Sequence, residues 1–162
     1  MREEEIGNAL RESGISIVTA ESCTGGLISH RITNISGSSD YYKGGVIAYS
    51  NEVKEKVLHV TKEILEVKGA VSAECAMAMA KGARELLCSD VGLATTGIAG
   101  PTGGTPDKPV GLVYIALATR DYDHYEKYIF HENREGNKRN AANAALEMLW
   151  RYVSQGARSS ER

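Results

Sequence analysis

Residues 15–26 read Ile-Ser-Ile-Val-Thr-Ala-Glu-Ser-Cys-Thr-Gly-Gly, and this stretch decides how the chain folds. Its first five residues form a β-branched, apolar run that is typical of a buried strand. Beyond the two glycines, apolar residues recur at helical spacing from Leu27 to Ile35. The stretch therefore predicts a strand, a sharp turn and a helix, with Ser22 on the turn.

A turn of this kind brings a side-chain hydroxyl close to unpaired backbone N–H groups and to the positive end of a helix dipole. Such a place stabilises an oxyanion or a phosphate, so Ser22 is a candidate nucleophile. The alternative is that Ser22 or Thr24 only caps the helix, because Ser and Thr are favoured N-cap residues. Cys23 is a rival nucleophile, since a helix N-terminus lowers the pKa of a thiol.

In two other segments, too, a short apolar strand ends in polar residues. Residues 44–50 form a short apolar strand that ends at Tyr49 and Ser50 and leads into a charged helix from Asn51. Residues 91–96 form another strand, which runs into a Gly/Pro-rich loop at 97–111 that holds all three prolines of the chain. The carboxyl ends of parallel strands share one edge of a sheet, where ligands bind in open α/β folds. We therefore expect the three segments to converge on one pocket.

The remaining pattern predicts a single three-layer α/β/α domain with a mixed, mainly parallel sheet. Helices are expected at 2–13, 72–87 and about 135–153, and the alanines of the second of these permit close packing on a sheet. Residues 110–118 and 122–130 flank Thr119-Arg120-Asp121 and predict a hairpin. We assign residues 1–155 to the domain and 156–162 to a polar tail, with fraying expected from Ser154.

Composition excludes several classes of function. A net charge of −2 over 162 residues argues against a surface that coats nucleic acid. No apolar run approaches the length of a membrane span, and the acidic N-terminus does not resemble a signal peptide, so we expect a cytoplasmic protein. The three cysteines lack metal-type spacing, which predicts reduced thiols, no metal and no cofactor.

Several long motifs, in order, resemble the C-terminal domain of the CinA family of competence-damage-inducible proteins. They are residues 20–26, 44–54, 69–72, 94–101, 105–106 and 108–111, and the resemblance extends from about Ile6 to Trp150. Stand-alone relatives in this family are nicotinamide-mononucleotide amidohydrolases. The resemblance thus implies deamidation of nicotinamide mononucleotide to nicotinate mononucleotide and ammonia.

The resemblance implies a catalytic set of Ser22 as nucleophile, Lys54 as base and Tyr49 as a group that orients one of them or relays a proton. A lysine in a cleft near a helix N-terminus is partly desolvated, so its pKa falls toward ~7–8, where a neutral amine accepts a proton. The alternatives are a solvated helix lysine for Lys54 and a half-buried sheet tyrosine for Tyr49. Glu21 either anchors the turn or lies in a salt bridge or on the surface.

The implied substrate carries a phosphate, a ribose and a cationic ring, and hydroxyls and backbone N–H groups in Gly-rich loops suit a phosphate. The expected binding residues are Thr24, Gly25, Ser39, Thr96, Gly97, Gly100, Thr102, Gly103, Arg134 and Arg139. The two arginines match a Gly-Asp-Arg segment of the family, in which this chain has Glu132-Asn133 before Arg134, and Gly136 is expected to interrupt the helix start. The alternative for residues 97–111 is a flexible surface loop.

A second class of function stays open, that of a non-catalytic, regulatory nucleotide-binding module. Members of the family tend to form dimers, so the resemblance also implies a homodimer or higher homo-oligomer. We expect the nucleotide, and neither nucleic acid nor membrane, as the partner.

Overall fold

The computed structural model describes residues 2–159, which form a sheet of five strands in the order β2-β1-β3-β4-β5. The strands are β1 (Ile17–Glu21), β2 (Tyr42–Ile47), β3 (Val91–Gly97), β4 (Leu112–Ala118) and β5 (Asp123–Ile129). The helices are α1 (Arg2–Ser13), α2 (Leu27–Thr33), α3 (Asn51–Lys56), α4 (Ala73–Leu86) and α5 (Arg134–Ser159). A 3-10 turn at Ser38–Asp40 precedes β2, and a π-helical turn at Ile64–Lys68 precedes α4.

The sheet is mixed, as the sequence predicts. Strand β1 pairs in parallel with both β2 and β3, whereas β4 runs antiparallel to β3 and β5 antiparallel to β4. The predicted hairpin of β4 and β5 contributes the two antiparallel strand pairs. The sheet therefore has as many antiparallel pairs as parallel ones, whereas a mainly parallel sheet was expected. In register, Glu21 at the end of β1 lies between Ile47 and Thr95. The carboxyl ends of the three parallel strands are therefore level with one another.

Helices cover both faces of the sheet. On one face α1, α2 and α5 pack with the sheet around a core that includes Leu10, Ile28, Leu93, Ile115 and Leu149. On the other face α4 packs its small residues on β1, β3 and β4 through Ala76, Met79, Ala80, Ala83, Val18, Ala94 and Ala116. A Cβ atom added at Gly92 would lie 2.1 Å from the carbonyl oxygen of Ala80, so α4 lies against the backbone of β3. The predicted close packing is confirmed.

Element boundaries differ from the prediction at several places, and strand β2, for example, covers Tyr42–Ile47 and not 44–50. Strand β1 begins at Ile17 rather than Ile15 and continues to Glu21. Helix α5 begins at Arg134 and continues to Ser159, past the expected end at Val153. Gly136 does not interrupt the helix, because its N–H donates to the side chain of Asn133 at 2.8 Å and completes an N-cap. Residues 160–162 of the expected tail lie outside the described residues.

The helices of residues 2–159 include none whose length and apolar character would let it cross a bilayer.

Candidate active site

A cavity of about 270 Å³ lies at the carboxyl ends of β1, β2 and β3. We call it the reactive cavity, and its lining is Ser22, Cys23, Tyr49, Asn51, Lys54, Ala70, Val71, Thr96, Gly97, Ile98, Ala99, Gly100, Thr102, Gly103 and Arg134. It brings together residues from all three predicted segments. These include the expected catalytic set and six of the expected binding residues, namely Thr96, Gly97, Gly100, Thr102, Gly103 and Arg134.

Ser22 occupies the turn that joins β1 to α2. Its side chain is nearly buried, and its backbone N–H donates to the carbonyl of Thr95 at 3.0 Å, which fixes the turn against β3. The carbonyl of Ser22 accepts from the N–H of Gly25 at 3.1 Å. Within residues 2–159 the N–H groups of Cys23 and Thr24 donate to no other residue, and that of Cys23 faces its own thiol, so both can stabilise negative charge beside the Ser22 hydroxyl.

Glu21 caps α2, and neither Ser22 nor Thr24 does. Its carboxylate is fully buried and accepts four hydrogen bonds: from the N–H of Ile28 at 2.9 Å, the N–H of Ser29 at 3.0 Å, and the hydroxyls of Thr24 at 2.7 Å and Ser29 at 2.6 Å. A carboxylate at a helix N-terminus compensates the helix dipole. Of the roles left open for Glu21, the structure selects the anchor of the turn. The first N–H groups of α2 are thereby taken.

Cys23 lies beside Ser22 but is unsuited to act as a nucleophile. Its side chain is buried, and desolvation raises the pKa of the Cys23 thiol to about 12. The nearby Glu21 carboxylate raises this pKa further, which outweighs the lowering expected from a helix N-terminus. The thiol therefore stays protonated near neutral pH.

Lys54 is a buried lysine, with only 2% of its surface exposed. Its Nζ donates to the carbonyl oxygen of Tyr49 at 3.3 Å, and it forms no salt bridge with a carboxylate of residues 2–159. Burial lowers the pKa of Lys54, and the thiols of Cys75 and Cys23 oppose this shift only in part. The interpretation of Lys54 as a solvated helix lysine is wrong.

Tyr49 and Arg134 lie together at the mouth of the cavity. Tyr49 follows the end of β2 and its side chain is 62% exposed, so it is not a half-buried sheet tyrosine. Arg134 donates to the Tyr49 hydroxyl at 3.0 Å and to the carbonyl of Gly100 at 2.7 Å. Arg134 thus ties the strand end after β2 to the Gly-rich loop, while Tyr49 reaches Lys54 through its carbonyl only.

A second, larger cavity of about 870 Å³ lies on the other side of the Ser22 turn. We call it the basic cavity, and its lining is Thr24, Gly25, Gly26, Leu27, His30, Arg31, Arg134, Glu135, Lys138, Arg139 and Asn143. The expected binding residues Thr24, Gly25 and Arg139 lie here instead of in the reactive cavity. Arg134 lines both cavities and connects them.

Ser39 is not brought to either cavity. It is exposed in the 3-10 turn that precedes β2, at the amino end of that strand, whereas both Ser22 and Lys54 lie at the carboxyl edge of the sheet. The direction of β2 separates Ser39 from both cavities of this chain, so its expected role in substrate binding stays a prediction.

Sequence reasoning missed Asn137 and left the role of Lys138 unassigned. Asn137 is buried, donates to the carbonyl of Ala99 at 2.9 Å and accepts from the N–H of Glu132 at 2.9 Å, so it holds the Gly-rich loop to α5. A signal was present, because Asn137 lies four residues before Ala141 and shares its buried face. Asn51, which also lines the reactive cavity, gave no such signal.

Among residues 2–159, no three His, Cys, Asp or Glu side chains are grouped so that they could hold a metal ion.

The chain matches the family model of the CinA C-terminal domain over residues 1–153. It is 51% identical over 152 residues to a CinA-like protein of Salinibacter ruber, which covers 94% of this chain and 37% of that protein. It is 52% identical over 151 residues to a putative competence-damage inducible protein of Halothermothrix orenii. This match covers 93% of this chain and 37% of that protein. The chain therefore spans about 37% of the length of these curated relatives.

Solved structures show the same fold. The crystal structure of competence damage-inducible protein A from Klebsiella pneumoniae superimposes with a TM-score of 0.91 at 33% identity, covering 94% of this chain and 95% of that one. Competence/damage inducible protein CihA from Agrobacterium tumefaciens gives a TM-score of 0.86 at 37% identity, covering 92% and 94%. The five-stranded α/β architecture is thus shared across these proteins.

Proposed function

Because the chain belongs to the CinA C-terminal domain family, as its motifs predict, we propose that it hydrolyses the carboxamide of nicotinamide mononucleotide. The observation that carries the proposal is Lys54, a buried amine with a lowered pKa and no carboxylate partner among residues 2–159, lining the same cavity as Ser22. A neutral amine next to a serine hydroxyl supplies the base that amide hydrolysis otherwise takes from histidine. The four histidines of the chain lie outside this cavity.

In the first half of the reaction, Ser22 Oγ bonds to the amide carbon while its proton passes to Lys54 Nζ. The tetrahedral intermediate then breaks its C–N bond, and Lys54 returns the proton to the leaving nitrogen, which departs as ammonia. In the second half, water attacks the ester carbon and Lys54 takes its proton. The C–O bond to Ser22 then breaks, the proton returns from Lys54 to Ser22, and the nicotinic acid product leaves and loses its remaining proton to solvent as the carboxylate.

The oxyanion of each intermediate needs donors that are already in position. The N–H groups of Cys23 and Thr24 fit this role, since they adjoin Ser22 and donate to no other residue among 2–159. Removing one such donor typically costs 10²–10³ in kcat, roughly 3–4 kcal/mol. Tyr49 and Arg134 lie at the cavity mouth, where they fit contact with the substrate more readily than proton transfer from Lys54.

The direct test is Ser22→Ala, assayed for ammonia release from nicotinamide mononucleotide. We expect activity to vanish while the dissociation constant stays within a few-fold, because the ground state loses one small contact and the transition state loses covalent attack. Binding is measured by titration calorimetry on the same protein.

Cys23→Ala is the matched control, because Cys23 is the neighbouring residue in the same cavity and its thiol stays protonated. This variant should keep its activity. Full activity in Ser22→Ala, or a folded but inactive Cys23→Ala, would count against the serine mechanism. If the unmodified protein binds the nucleotide and releases no ammonia, the chain is a nucleotide-binding module instead.

A further inference from the structure

The basic cavity contains a lysine that the proposed reaction does not use. Resting on the proposed function, we propose that Lys138 binds the phosphate of the substrate, so that the nucleotide spans both cavities with its amide at Ser22. The Gly-rich loop then shapes the reactive cavity and does not hold the phosphate.

Lys138 is positioned directly above the Ser22 turn. It is partly buried on α5, and its Nζ lies 3.5 Å from the point where a Cβ atom on Gly25 would be. Among residues 2–159 no carboxylate pairs with it and no hydrogen bond engages it. A partly desolvated ammonium without a counter-ion attracts an anion strongly.

The other cations that line the basic cavity already have partners. Arg31 pairs with Glu3 at 2.6 Å and donates to Asn143 at 2.6 Å. Arg139 lies 3.9 Å from Glu135, and Arg134 donates to Gly100 and to Tyr49. Among the described residues, Lys138 is thus the cation of this cavity that has neither an ion pair nor a hydrogen bond, and Arg134, whose two partners are neutral, adds to the positive potential beside it.

The Gly-rich loop lacks a comparable cation. Lys108 donates its Nζ to the carbonyl of Lys68 at 2.6 Å, and the Thr96 hydroxyl donates to the carbonyl of Ala70 at 2.7 Å. The loop therefore offers backbone N–H groups, while its one cation, Lys108, is held by a carbonyl and does not line the reactive cavity. A phosphate dianion is held best by charge-assisted hydrogen bonds, which the basic cavity supplies and the loop does not.

The sizes of the two cavities agree with an amide bound in the reactive cavity and a phosphate bound in the basic cavity. About 270 Å³ suits a nicotinamide ring near Ser22, whereas about 870 Å³ leaves room for a ribose and phosphate. The substrate class is then an aromatic carboxamide joined through a spacer to an anionic group, which reaches across the Ser22 turn.

The experiment compares Lys138→Gln with Lys138→Arg and with Lys127→Gln, an exposed lysine on β5 far from both cavities. For each variant, kcat/KM is measured with nicotinamide mononucleotide and with its riboside. Lys138→Gln should lower the value for the nucleotide about tenfold or more, since a hydrogen bond to a charged group is lost, and leave the riboside within about twofold. Lys138→Arg should restore most of the loss, and Lys127→Gln should change neither substrate.

Binding of the nucleotide, measured by calorimetry, gives a readout that does not depend on turnover. If the protein releases no ammonia, the proposed function fails, yet a weaker affinity of Lys138→Gln for the nucleotide alone still supports the phosphate site. Equal losses for nucleotide and riboside, or no loss for either, would overturn the assignment of Lys138. Loss of nucleotide selectivity in Thr102→Val with none in Lys138→Gln would place the phosphate at the Gly-rich loop.

Discussion

At the scale of single residues, the proposed reaction depends most on Lys54. A lysine that is almost fully buried and has no carboxylate partner in residues 2–159 is costly to keep charged. Burial therefore lowers the pKa of Lys54 and increases the fraction of neutral amine near neutral pH.

The pH dependence of kcat follows from that lowered pKa. The active form has a neutral Lys54, so kcat should fall as the pH drops below its pKa, and it should level off above it. Lys54→Arg should be nearly inactive at every pH from 6 to about 9, because a guanidinium does not deprotonate in proteins. Ammonia release measured across this range tests both expectations.

Lys56→Arg provides the matched control, because Lys56 lies two residues along the same helix, is exposed and, among residues 2–159, pairs only with Glu52. Its activity and pH profile should equal those of the unmodified protein. A rate that is flat through acidic pH, or substantial activity in Lys54→Arg, would assign the base to another group.

The sequence places Ser22, Tyr49 and Lys54 at strand ends, and parallel strands bring such ends together, so their convergence could be predicted. The position of Lys138 could not, because it depends on how α5 crosses the turn after β1. The separation of Ser39 from the two cavities could not be predicted either, because a motif gives no direction, and β2 leaves Ser39 at the amino end of the strand.

At the scale of elements, β1, the Ser22 turn and α2 form one unit that Glu21 holds together. The carboxylate at the end of β1 accepts hydrogen bonds from Ile28 and Ser29 in the first turn of α2. Helix α2 has only seven residues, so it depends on this anchor more than a long helix would.

Glu21→Gln tests the anchor. An amide keeps the size of the side chain but replaces one acceptor oxygen with a donor, which would face the N–H or hydroxyl of Ser29. Hydrogen bonds to a charged group contribute roughly 1.5–3 kcal/mol each, so we expect the free energy of unfolding to fall by about 2–4 kcal/mol. Chemical denaturation measures this loss, and kcat should fall with it because the Ser22 turn shifts.

Glu52→Gln is the comparison, since Glu52 forms an exposed i, i+4 pair with Lys56. It should cost about 0.5 kcal/mol or less. A Glu21→Gln protein as stable as the Glu52 variant would show that the anchor contributes little.

Most elements could be predicted from periodicity, including the bounds of α1 and the hairpin of β4 and β5. The start of α5 could not, because Gly136 disfavours a helix by intrinsic propensity, while the Asn133 cap supplies the missing acceptor. The end of α5 was set too early because residues beyond Val153 are polar, and polarity does not exclude a helix that is already anchored.

At the scale of the whole molecule, the site reduces the stability of the fold. Lys54 is among the largest fully buried side chains, and its amine makes one hydrogen bond, to the Tyr49 carbonyl. An apolar side chain of similar length would fill the same space without desolvating an amine.

Lys54→Met should therefore abolish ammonia release and raise the free energy of unfolding by roughly 1–2 kcal/mol at pH 7. The gain should shrink as the pH rises toward 10.5, the ordinary value for lysine. Between the lowered pKa of folded Lys54 and 10.5, the lysine binds a proton in the unfolded protein but not in the folded one. The free energy of unfolding of the unmodified protein therefore rises with pH in this window, by up to about 1.4 kcal/mol per pH unit. Denaturation of both proteins at pH 6, 7 and about 9 measures the trend; a constant difference would mean that Lys54 titrates alike in both states.

The order β2-β1-β3 also bears on how the chain is made. The Ser22 turn closes on Thr95, and the contact from Thr24 to Thr95 spans 71 positions of the chain. At roughly 5–20 residues per second, a ribosome needs about 4–14 s to add that length. Throughout that interval the nascent β1 exposes the edge that β3 will later occupy, which makes the growing chain prone to mispairing with other nascent chains. The reactive turn acquires its final geometry only after Thr95 has been added to the chain.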